Sequence, residues 1–455
     1  MPSVPRCNAD SEKIRRSARK RFTARRAMNI LHRTPPLGEA NTSRVVETDW
    51  TDWEGRAAIA SFEPTLQAAR ARLAQVRPDA YARTRNALDG AVTGLSPYIT
   101  HGLLSLRDIY LDVSARYLLE ARHKLVFELG WRAYYRHVWS HLGEGIHQSL
   151  HDGLLPDDSY CAEMPADVVE ARTGVAAIDL AVRELYATGY LHNHARMWLA
   201  SYVVHLRKVH WHTAAQWMLG HLLDGDLASN HLSWQWVAGT GSSKPYVFNA
   251  DNVAKYAPAD WHSFGTVIDA SYETMDLLAR STTAVNRRVD NRRADAGLAQ
   301  PALTVAPSGA MWSAPDPAVV AGRDVWLLTP WSLGALPQGL DANVLLMGAG
   351  IAECHIQTPW SARRWRFVAD GLRNRTPHIW WGNVSQIAHA LRGARSVGWQ
   401  PDAHCHTALD RLQTLLQTGQ AQSLVASHAQ PNLFEAVEPY CDSFSQWWRH
   451  TQIAL

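Results

Sequence analysis

The sequence predicts a mainly α-helical protein in which a helical domain precedes a smaller α/β domain. Across residues 46–281 apolar side chains recur every three to four positions, the period of an amphipathic helix, and few segments alternate as strands do. Residues 282–322 lose this period and are rich in Pro, Gly, Ala and Arg, which favours a linker. Residues 323–455 alternate short apolar runs with helical patterns, which is typical of βαβ units around a parallel sheet.

A basic arm, predicted to be disordered, occupies residues 1–45. Ten Lys and Arg residues lie within residues 1–33, against Asp10 and Glu12. Such an arm can contact nucleic acid without sequence specificity. Two other interpretations stay open: a disordered tail with no such contact, or translation that starts at Met28.

Composition predicts a soluble, cytoplasmic protein without a membrane segment. The chain is 46% hydrophobic over 455 residues, which allows a large core, yet no uninterrupted apolar run reaches the roughly twenty residues that span a bilayer. The five cysteines form no CxxC pair, which favours reduced thiols. We predict no metal site, because His192 and His194 lie near no cysteine or carboxylate cluster with ligand spacing.

Four segments of the α/β domain have the short apolar composition of buried strands. They are DVWLLTP from Asp324, NVLLMG from Asn343, HIWWG from His378 and ARSVGW from Ala394. A helix is predicted from Trp360 to Leu372, and another between the last two strands.

The stretch from Leu191 to Gly241 contains more amides, charges and indoles than an ordinary core needs. Buried charges and amides are costly unless they are paired or hold a ligand, so this density predicts a cavity for a planar polar molecule. An Arg to Asp pair here can also be purely structural. The side chains concerned are Asn193, Arg196, Trp211, Asp224, Asp226, Asn230, Trp234 and Trp236.

Two upstream segments add further polar groups. Ser96 is predicted to be a helix N-cap with Pro97 at the first helical position, which leaves backbone N–H groups free for a diphosphate; many helices start this way for structural reasons alone. Glu128, Trp131 and Arg132 lie on one face of a helix. That face suits a stacked, hydrogen-bonded ring, and it equally suits an amphipathic helix with a Glu to Arg pair.

Together these segments resemble the flavin-binding domain of the cryptochrome and DNA photolyase family. The resemblance covers residues 50–258 and rests on LSPYITHGLLSLR, ELGWRAYYRH, TGVAAIDLAVRELYATGYLHNHARM and LLDGDLASNHLSWQW, in the family's order. It implies FAD as the cofactor and leaves a second, antenna chromophore unknown. Residues 323–455 resemble part of the family's α/β antenna domain, which precedes the helical domain in the family, so the domain order is permuted here.

The resemblance also implies which residues bind FAD. Arg196 and Asp224 correspond to a salt bridge against the isoalloxazine ring, and Asn230 to the side chain that faces flavin N5. A neutral amide there is similar to photolyases that keep the flavin reduced, since it accepts a hydrogen bond from N5 without supplying a proton. The other implied FAD contacts are Tyr81, Thr93, Ser96, Arg132 and Asp226.

The activity implied by the resemblance is light-driven repair of damaged DNA. Excited reduced flavin gives one electron to a cyclobutane pyrimidine dimer, the ring splits, and the electron returns. Trp234 and Trp211 correspond to the first two electron-carrying tryptophans, whereas Asp158 stands where the third is expected. The candidate replacements are Tyr160, Trp139, Trp198 and Trp217. The residues that correspond to the lining of the substrate cavity are Glu128, Trp131, Asn193, Met197 and Trp236.

Departures from the family's pattern keep other functions open. Ala133 replaces the usual acidic residue after the WR pair, His194 replaces an arginine that faces DNA phosphate, and Lys244 is the remaining basic candidate in a shortened segment. Fewer phosphate contacts predict weaker DNA affinity. The leading interpretation is a photolyase; the alternatives are a cryptochrome-like blue-light photoreceptor that acts through a protein partner, and a flavoprotein scaffold without photochemistry.

Overall fold

The computed structural model of the protein describes residues 61–242, 244–285, 297–418 and 424–454. The basic arm predicted at residues 1–45 lies outside these ranges, as do residues 46–60 of the predicted helical domain. Within the ranges described, none of the helices combines the length and apolarity needed to cross a membrane.

Helices dominate the described part of residues 61–285, as predicted. They are α1 (Leu66–Ala74), α2 (Pro78–Thr84), α3 (Ser96–Thr100), α4 (Leu106–Arg116), α5 (Lys124–Leu142), α6 (Ala166–Val169), α7 (Ala176–Thr188), α8 (Asn193–Ser201), α9 (Trp211–His221), α10 (Leu227–Ala238), α11 (Ala250–Tyr256) and α12 (Tyr272–Arg280). Shorter turns are 3₁₀ segments at Gly143–His147, Asp157–Ser159 and Ala259–Trp261, and a π segment at Tyr202–Leu206.

The described part of residues 297–454 alternates strands and helices. In chain order the elements are β1 (Leu303–Thr304), α13 (Pro317–Val320), β2 (Asp324–Leu328), β3 (Leu345–Ile351), a 3₁₀ turn (Ala352–Cys354), β4 (Trp360–Ser361), α14 (Ala362–Arg373), β5 (Ile379–Gly382), α15 (Val384–Leu391), β6 (Ser396–Trp399), α16 (His406–Gln417), β7 (Leu424–Ser427) and α17 (Phe444–His450).

Five of these strands form one parallel sheet in the order β5-β3-β2-β6-β7. Strand β2 lies at its centre, where Val325 is in register with Leu345 on one side and Val397 on the other. Its residues from Val325 to Leu328 are buried, as expected for a parallel strand covered on both faces. From β2 the chain adds β3 and β5 on one side, and then crosses back to add β6 and β7 on the other side, as in doubly wound α/β folds. Such folds bind ligands at the carboxyl ends of the two neighbouring strands where the order reverses, here β2 and β6.

The predicted strands are all present, and three features differ from the prediction. The helix expected from Trp360 begins at Ala362, because Trp360 and Ser361 pair with Thr304 and Leu303 as a short antiparallel strand. That pairing places β1 inside the region predicted to be a linker. Helix α16 and strand β7 were not predicted from the sequence.

Arg364 of α14 joins the α/β region to the helical region. Its side chain is fully buried and donates hydrogen bonds to the backbone carbonyls of Leu219 (2.9 Å) and Gly225 (2.7 Å). The guanidinium carbon lies 4.0 Å from the centre of the Trp360 ring. A Cβ on Gly225 would collide with Arg364, so this close approach requires glycine there. The backbone of the segment before α10 is therefore hydrogen-bonded to the α/β region through Arg364.

The carboxyl ends of β2 and β6 also contact the helical region. Trp331 follows β2 and His404 follows β6, and their rings stack with centres 5.0 Å apart. The Leu227 backbone N–H, at the start of α10, donates to His404 Nε2 (3.1 Å). The end of the sheet at which doubly wound folds usually bind a ligand is thus packed against α10.

Candidate functional site

Most of the side chains predicted to act in the site surround one cavity of about 300 Å³, here called the central cavity. Helices α5, α8 and α10 and the segments before α3 and α10 form its wall. Twelve of the fifteen predicted site residues line it: Tyr81, Thr93, Ser96, Glu128, Arg132, Asn193, Arg196, Met197, Asp224, Asp226, Asn230 and Trp234. Apolar side chains between them, such as Ile99 and Met218, give the cavity both polar and apolar walls.

Arg196 and Asp224 form an ion pair on one wall of the central cavity. Arg196 Nη2 lies 3.0 and 2.8 Å from the two carboxylate oxygens, and its Nε donates to the Leu191 carbonyl at 2.7 Å. The Ser96 hydroxyl donates to the same carboxylate (2.5 Å), and the Thr100 hydroxyl to the Asp224 carbonyl (3.0 Å). Asp224 is thus held from three sides while Arg196 remains a quarter exposed toward the cavity.

Ser96 differs from its predicted role. Helix α3 begins at Ser96 with Leu95 as the N-cap, and no side chain caps it. The Ser96 hydroxyl is instead engaged with Asp224, because the α3 segment packs directly against the segment before α10. Ser96 therefore contributes to the cavity a hydroxyl group that is bound to the Asp224 carboxylate. The helix that it begins has only five residues.

Asp226 is a buried carboxylate that joins three structural elements. It is the N-cap of α10 and accepts from the Ser229 N–H (2.9 Å). Arg132 and Arg136 approach it at 3.4 and 2.5 Å. Burial alone would raise the pKa of this carboxyl group, but the two guanidinium groups hold it below its ordinary value, so Asp226 is ionised.

Arg136 was missed by the sequence reasoning. It lies four residues after Arg132 on α5, so the spacing alone places both on one face. Besides Asp226 it contacts Asp402, with a closest approach of 3.4 Å, and through it the α/β region. The sequence signal that could have identified Arg136 is the pair of arginines four residues apart on one helix, together with the motif that contains Asp224 and Asp226.

Asn230 presents its carbonyl oxygen to the central cavity. Its amide nitrogen donates to the Ala215 carbonyl at 2.8 Å, which fixes the orientation of the side chain. Within the part of the chain that the structure describes, the Asn230 Oδ1 atom has no hydrogen-bond partner. A ligand N–H in the cavity could therefore donate to it.

Trp131 and Trp236 differ from the prediction because they lie outside the cavity wall. The Trp131 ring stacks on Phe444 of α17, with centres 4.1 Å apart and planes at 11°. The Trp236 ring stacks on Tyr246 (5.6 Å) and is 38% exposed. In both cases an aromatic ring of the same chain stacks on a side chain that was predicted to line the substrate cavity.

Trp211 is the third predicted residue that does not line the cavity. It is buried in the first turn of α9, and its indole N–H donates to the Ser149 hydroxyl at 2.9 Å. The His210 ring lies 5.9 Å from it, and Tyr160, one of the candidate replacements for a third tryptophan, lies 6.2 Å beyond His210. A chain of aromatic rings thus runs from Trp211 to Tyr160.

The three substrate-side residues that do line the cavity lie together. Glu128 is 3.4 Å from Arg85 and is about one-third exposed, so it remains accessible from the solvent side. Asn193 is exposed and its amide donates to the Met197 sulfur at 3.5 Å. These groups form a polar mouth to a cavity whose interior is charged and amide-rich.

Comparison with known proteins agrees with this arrangement. Residues 125–261 match the model of the FAD-binding domain of DNA photolyase. That range contains both aspartates, both arginines of α5 and Asn230. The helical region of this chain therefore contains an FAD-binding domain similar to that of DNA photolyases. FAD is the cofactor of the matched domain.

Similar proteins carry both family names. Over 220 residues the chain is 34% identical to the deoxyribodipyrimidine photo-lyase of a Synechococcus species, a match that covers 45% of this chain and 44% of that protein. It is 33% identical over 171 residues to a cryptochrome DASH of Gloeobacter violaceus, covering 36% of this chain and 34% of that one. The chain spans less than half the length of these relatives. A solved Synechocystis cryptochrome matches 44% of this chain and 45% of that chain at 26% identity, with a TM-score of 0.40.

The donor set of the central cavity fits FAD. An isoalloxazine ring is flat and carries hydrogen-bonding atoms at its edge, which suits a wall made of the Arg196–Asp224 pair and the Asn230 oxygen. Thr93 adds a hydroxyl group to the lining, and the Ser96 hydroxyl, which donates to Asp224, adds an oxygen beside that pair. These residues would hold the cofactor, and Asn230 would meet it with an acceptor only, because the amide nitrogen is already engaged.

Proposed function

We propose that the protein is a DNA photolyase that splits cyclobutane pyrimidine dimers in damaged DNA. When bound, reduced and excited by blue light, FAD supplies one electron to the dimer and recovers it after the cyclobutane ring has opened. The observation that carries the proposal is the position of Glu128, Asn193 and Met197 at the mouth of the cavity that the flavin-holding residues line.

The polar mouth can bind a lesion in two ways. The Glu128 carboxylate can accept hydrogen bonds from N–H groups of a flipped pyrimidine, and in its protonated form can donate to a carbonyl oxygen. The Asn193 amide offers both a donor and an acceptor. A damaged base pair is poorly stacked, so its extrusion into such a pocket costs less than that of an intact pair, which contributes to selectivity.

Light-driven repair is the direct test of this proposal. We expect holoprotein with fully reduced flavin to remove dimers from a dimer-containing oligonucleotide under blue light and not in the dark. Asn193→Ala should lower the repair rate about tenfold, since truncation removes a group in contact with the lesion, while bound FAD stays unchanged. Dimer content by chromatography is the measurement, with Asn374→Ala, at the end of α14, as the matched control.

The position of Trp131 favours a second function, a blue-light photoreceptor that acts through a protein partner. A flipped base cannot stack on the face of Trp131 that Phe444 covers. Phe444→Ala separates the two functions. If the protein is a photolyase that α17 impedes, the Phe444→Ala variant should repair dimers faster, because the Trp131 ring is uncovered. If both the wild type and the variant leave dimers intact under blue light with reduced flavin, the photolyase proposal is contradicted.

We also propose that electrons reach the flavin through Trp234, Trp211 and, by way of His210, Tyr160. Trp234 lines the cavity, Trp211 is buried, and Tyr160 is partly exposed, so the order runs from cavity to surface. Trp211→Phe should slow photoreduction of oxidised flavin strongly, with external thiol as reductant and the loss of flavin absorbance as the measurement. Trp217→Phe is the control; an equal effect of both variants, or none of Trp211→Phe, would contradict this route.

The domain organisation is part of the same proposal. We propose a flavin domain at residues 46–281, a linker at 282–322, and an antenna-like α/β domain at 323–455 that follows the flavin domain. The doubly wound strand order supports an antenna-like fold for the last region.

A further inference from the structure

Three histidines far apart in the sequence come together beside the central cavity. His147 ends the 3₁₀ turn after α5, His212 is the second residue of α9, and His231 lies in α10. One ring nitrogen from each lies within 4.8 Å of the others. No metal site is predicted from the sequence at this place, because these residues are separated by 65 and 19 positions and share no local ligand spacing.

Two of the three ring nitrogens are spaced like ligands around a small ion. His147 Nδ1 and His212 Nε2 are 3.1 Å apart. Two imidazole nitrogens bound tetrahedrally to Zn²⁺ at about 2.0 Å each lie about 3.3 Å from one another. The separation in the protein therefore needs only a small adjustment to accept the ion.

His231 supplies an independent indication of a ligand. Its side chain is fully buried, and its Nε2 atom has no hydrogen-bond partner among the residues that the structure describes. A buried polar atom without a partner is costly, and such atoms in native proteins mark an ion or water that binds there. The ring centres of His147 and His212 lie 5.1 and 5.5 Å from that of His231, so the unpartnered nitrogen belongs to the same cluster.

The outer contacts of two rings resemble the support that metal-binding histidines receive. His147 directs its other nitrogen, Nε2, toward the Glu144 carboxylate at 3.8 Å. The His231 ring is hydrogen-bonded to the backbone of Leu227. Contacts of this kind fix the orientation of a ligand ring and raise its basicity.

We propose that His147, His212 and His231 bind one divalent transition-metal ion of the Zn²⁺ type, with the fourth position open to water or to Gln216. The Gln216 amide group lies beside this position, with its nitrogen 3.3 Å from His212 Nε2, and its oxygen would be the ligand atom once the amide has turned. Three imidazoles without thiolate or carboxylate suit Zn²⁺, Co²⁺, Ni²⁺ or Cu²⁺ and exclude Ca²⁺ and Mg²⁺, which require oxygen ligands.

The site would tie three elements together next to the flavin-holding residues. His231 follows Asn230 directly, and the His212 and His231 rings lie 5.4 and 6.0 Å from Trp211. A bound ion would therefore fix the start of α9 against α10, and with it the positions of Asn230 and Trp211. The inference rests on the histidine geometry alone and does not depend on the photolyase proposal.

Cobalt and zinc binding test this inference. Full-length protein freed of metal by a chelator should bind one Co²⁺ ion with the visible absorption of a tetrahedral site, and Zn²⁺ should displace it. His147→Ala and His212→Ala should each lower Zn²⁺ affinity by more than about 100-fold, because loss of even a supporting contact costs about 10- to 100-fold. Glu144→Gln should lower it about tenfold.

Two controls keep the outcome clear. His262→Ala removes a partly buried histidine outside the cluster, which contacts the Ala257 carbonyl, and should leave Zn²⁺ affinity unchanged. Bound FAD and the melting temperature without metal report whether each variant is folded. The proposal is overturned if the wild type binds no Co²⁺ or Zn²⁺ at micromolar concentrations, or if folded His147→Ala and His212→Ala bind Zn²⁺ as the wild type does.

Discussion

Asp224→Ala should abolish stable retention of FAD. The substitution leaves Arg196 on the cavity wall without its carboxylate, and it releases the Ser96 hydroxyl as well. Removing one partner of a largely buried ion pair costs about 3–5 kcal/mol. If this whole free energy is lost from the FAD-bound state, FAD affinity drops by about 100- to 4,000-fold, since each 1.4 kcal/mol is about tenfold. FAD per protein after gel filtration and the dissociation constant from flavin fluorescence measure it.

A second buried pair provides the control for Asp224→Ala. Asp167 and Arg207 are 2.8 Å apart with side chains that are similarly buried, and neither lines the central cavity. Asp167→Ala should therefore lower the free energy of unfolding without lowering FAD affinity. Equal FAD affinity in Asp224→Ala and wild type would show that the Arg196–Asp224 pair is structural and does not hold the cofactor.

Arg364→Met should lower both the free energy of unfolding and FAD affinity, although Arg364 does not line the cavity. The variant keeps most of the volume but leaves the Leu219 and Gly225 carbonyls without their donors. A buried acceptor left unsatisfied costs about 1–3 kcal/mol, so the two together should cost about 3 kcal/mol or more. Denaturant unfolding gives the first quantity and FAD titration the second.

Arg366→Met is the matched control, because Arg366 lies on the exposed side of the same helix. It should change neither quantity. An Arg364→Met protein as stable as the wild type would mean that the contact between α14 and the segment before α10 contributes little. A less stable variant with unaltered FAD affinity would mean that the α/β region does not support the flavin-holding residues.

The sequence placed most of the lining residues of the central cavity together because the four motifs that contain them resemble the family's flavin-binding domain. Spacing on α5 and α8 determines which side chains share a face, so Glu128, Arg132, Asn193 and Arg196 could be placed without a structure. The strands β2, β3, β5 and β6 were equally accessible, since each is a short apolar run between turns. Local pattern is sufficient where the neighbours in space are also neighbours in sequence.

What the sequence did not predict depends on packing between distant segments. Nothing near Trp131 indicates that Phe444, more than three hundred residues later, covers its ring. The role of Ser96 changed for the same reason, since the choice between capping its helix and bonding Asp224 depends on how two segments pack. The cluster of His147, His212 and His231 cannot be found by rules that search for metal ligands a few residues apart in the sequence.

The packing of the sheet end against α10 couples the two halves of the molecule energetically. Because Arg364 and His404 contact the backbone beside Asp224 and Asp226, we expect FAD binding to stabilise the α/β region as well as the helical region. Linkage is reciprocal, so a molecule that binds the outer face of the sheet and tightens this contact must raise flavin affinity by the same factor. The described part of the α/β region contributes no residue to the lining of the central cavity, yet through this contact it can act as an effector site for the cofactor.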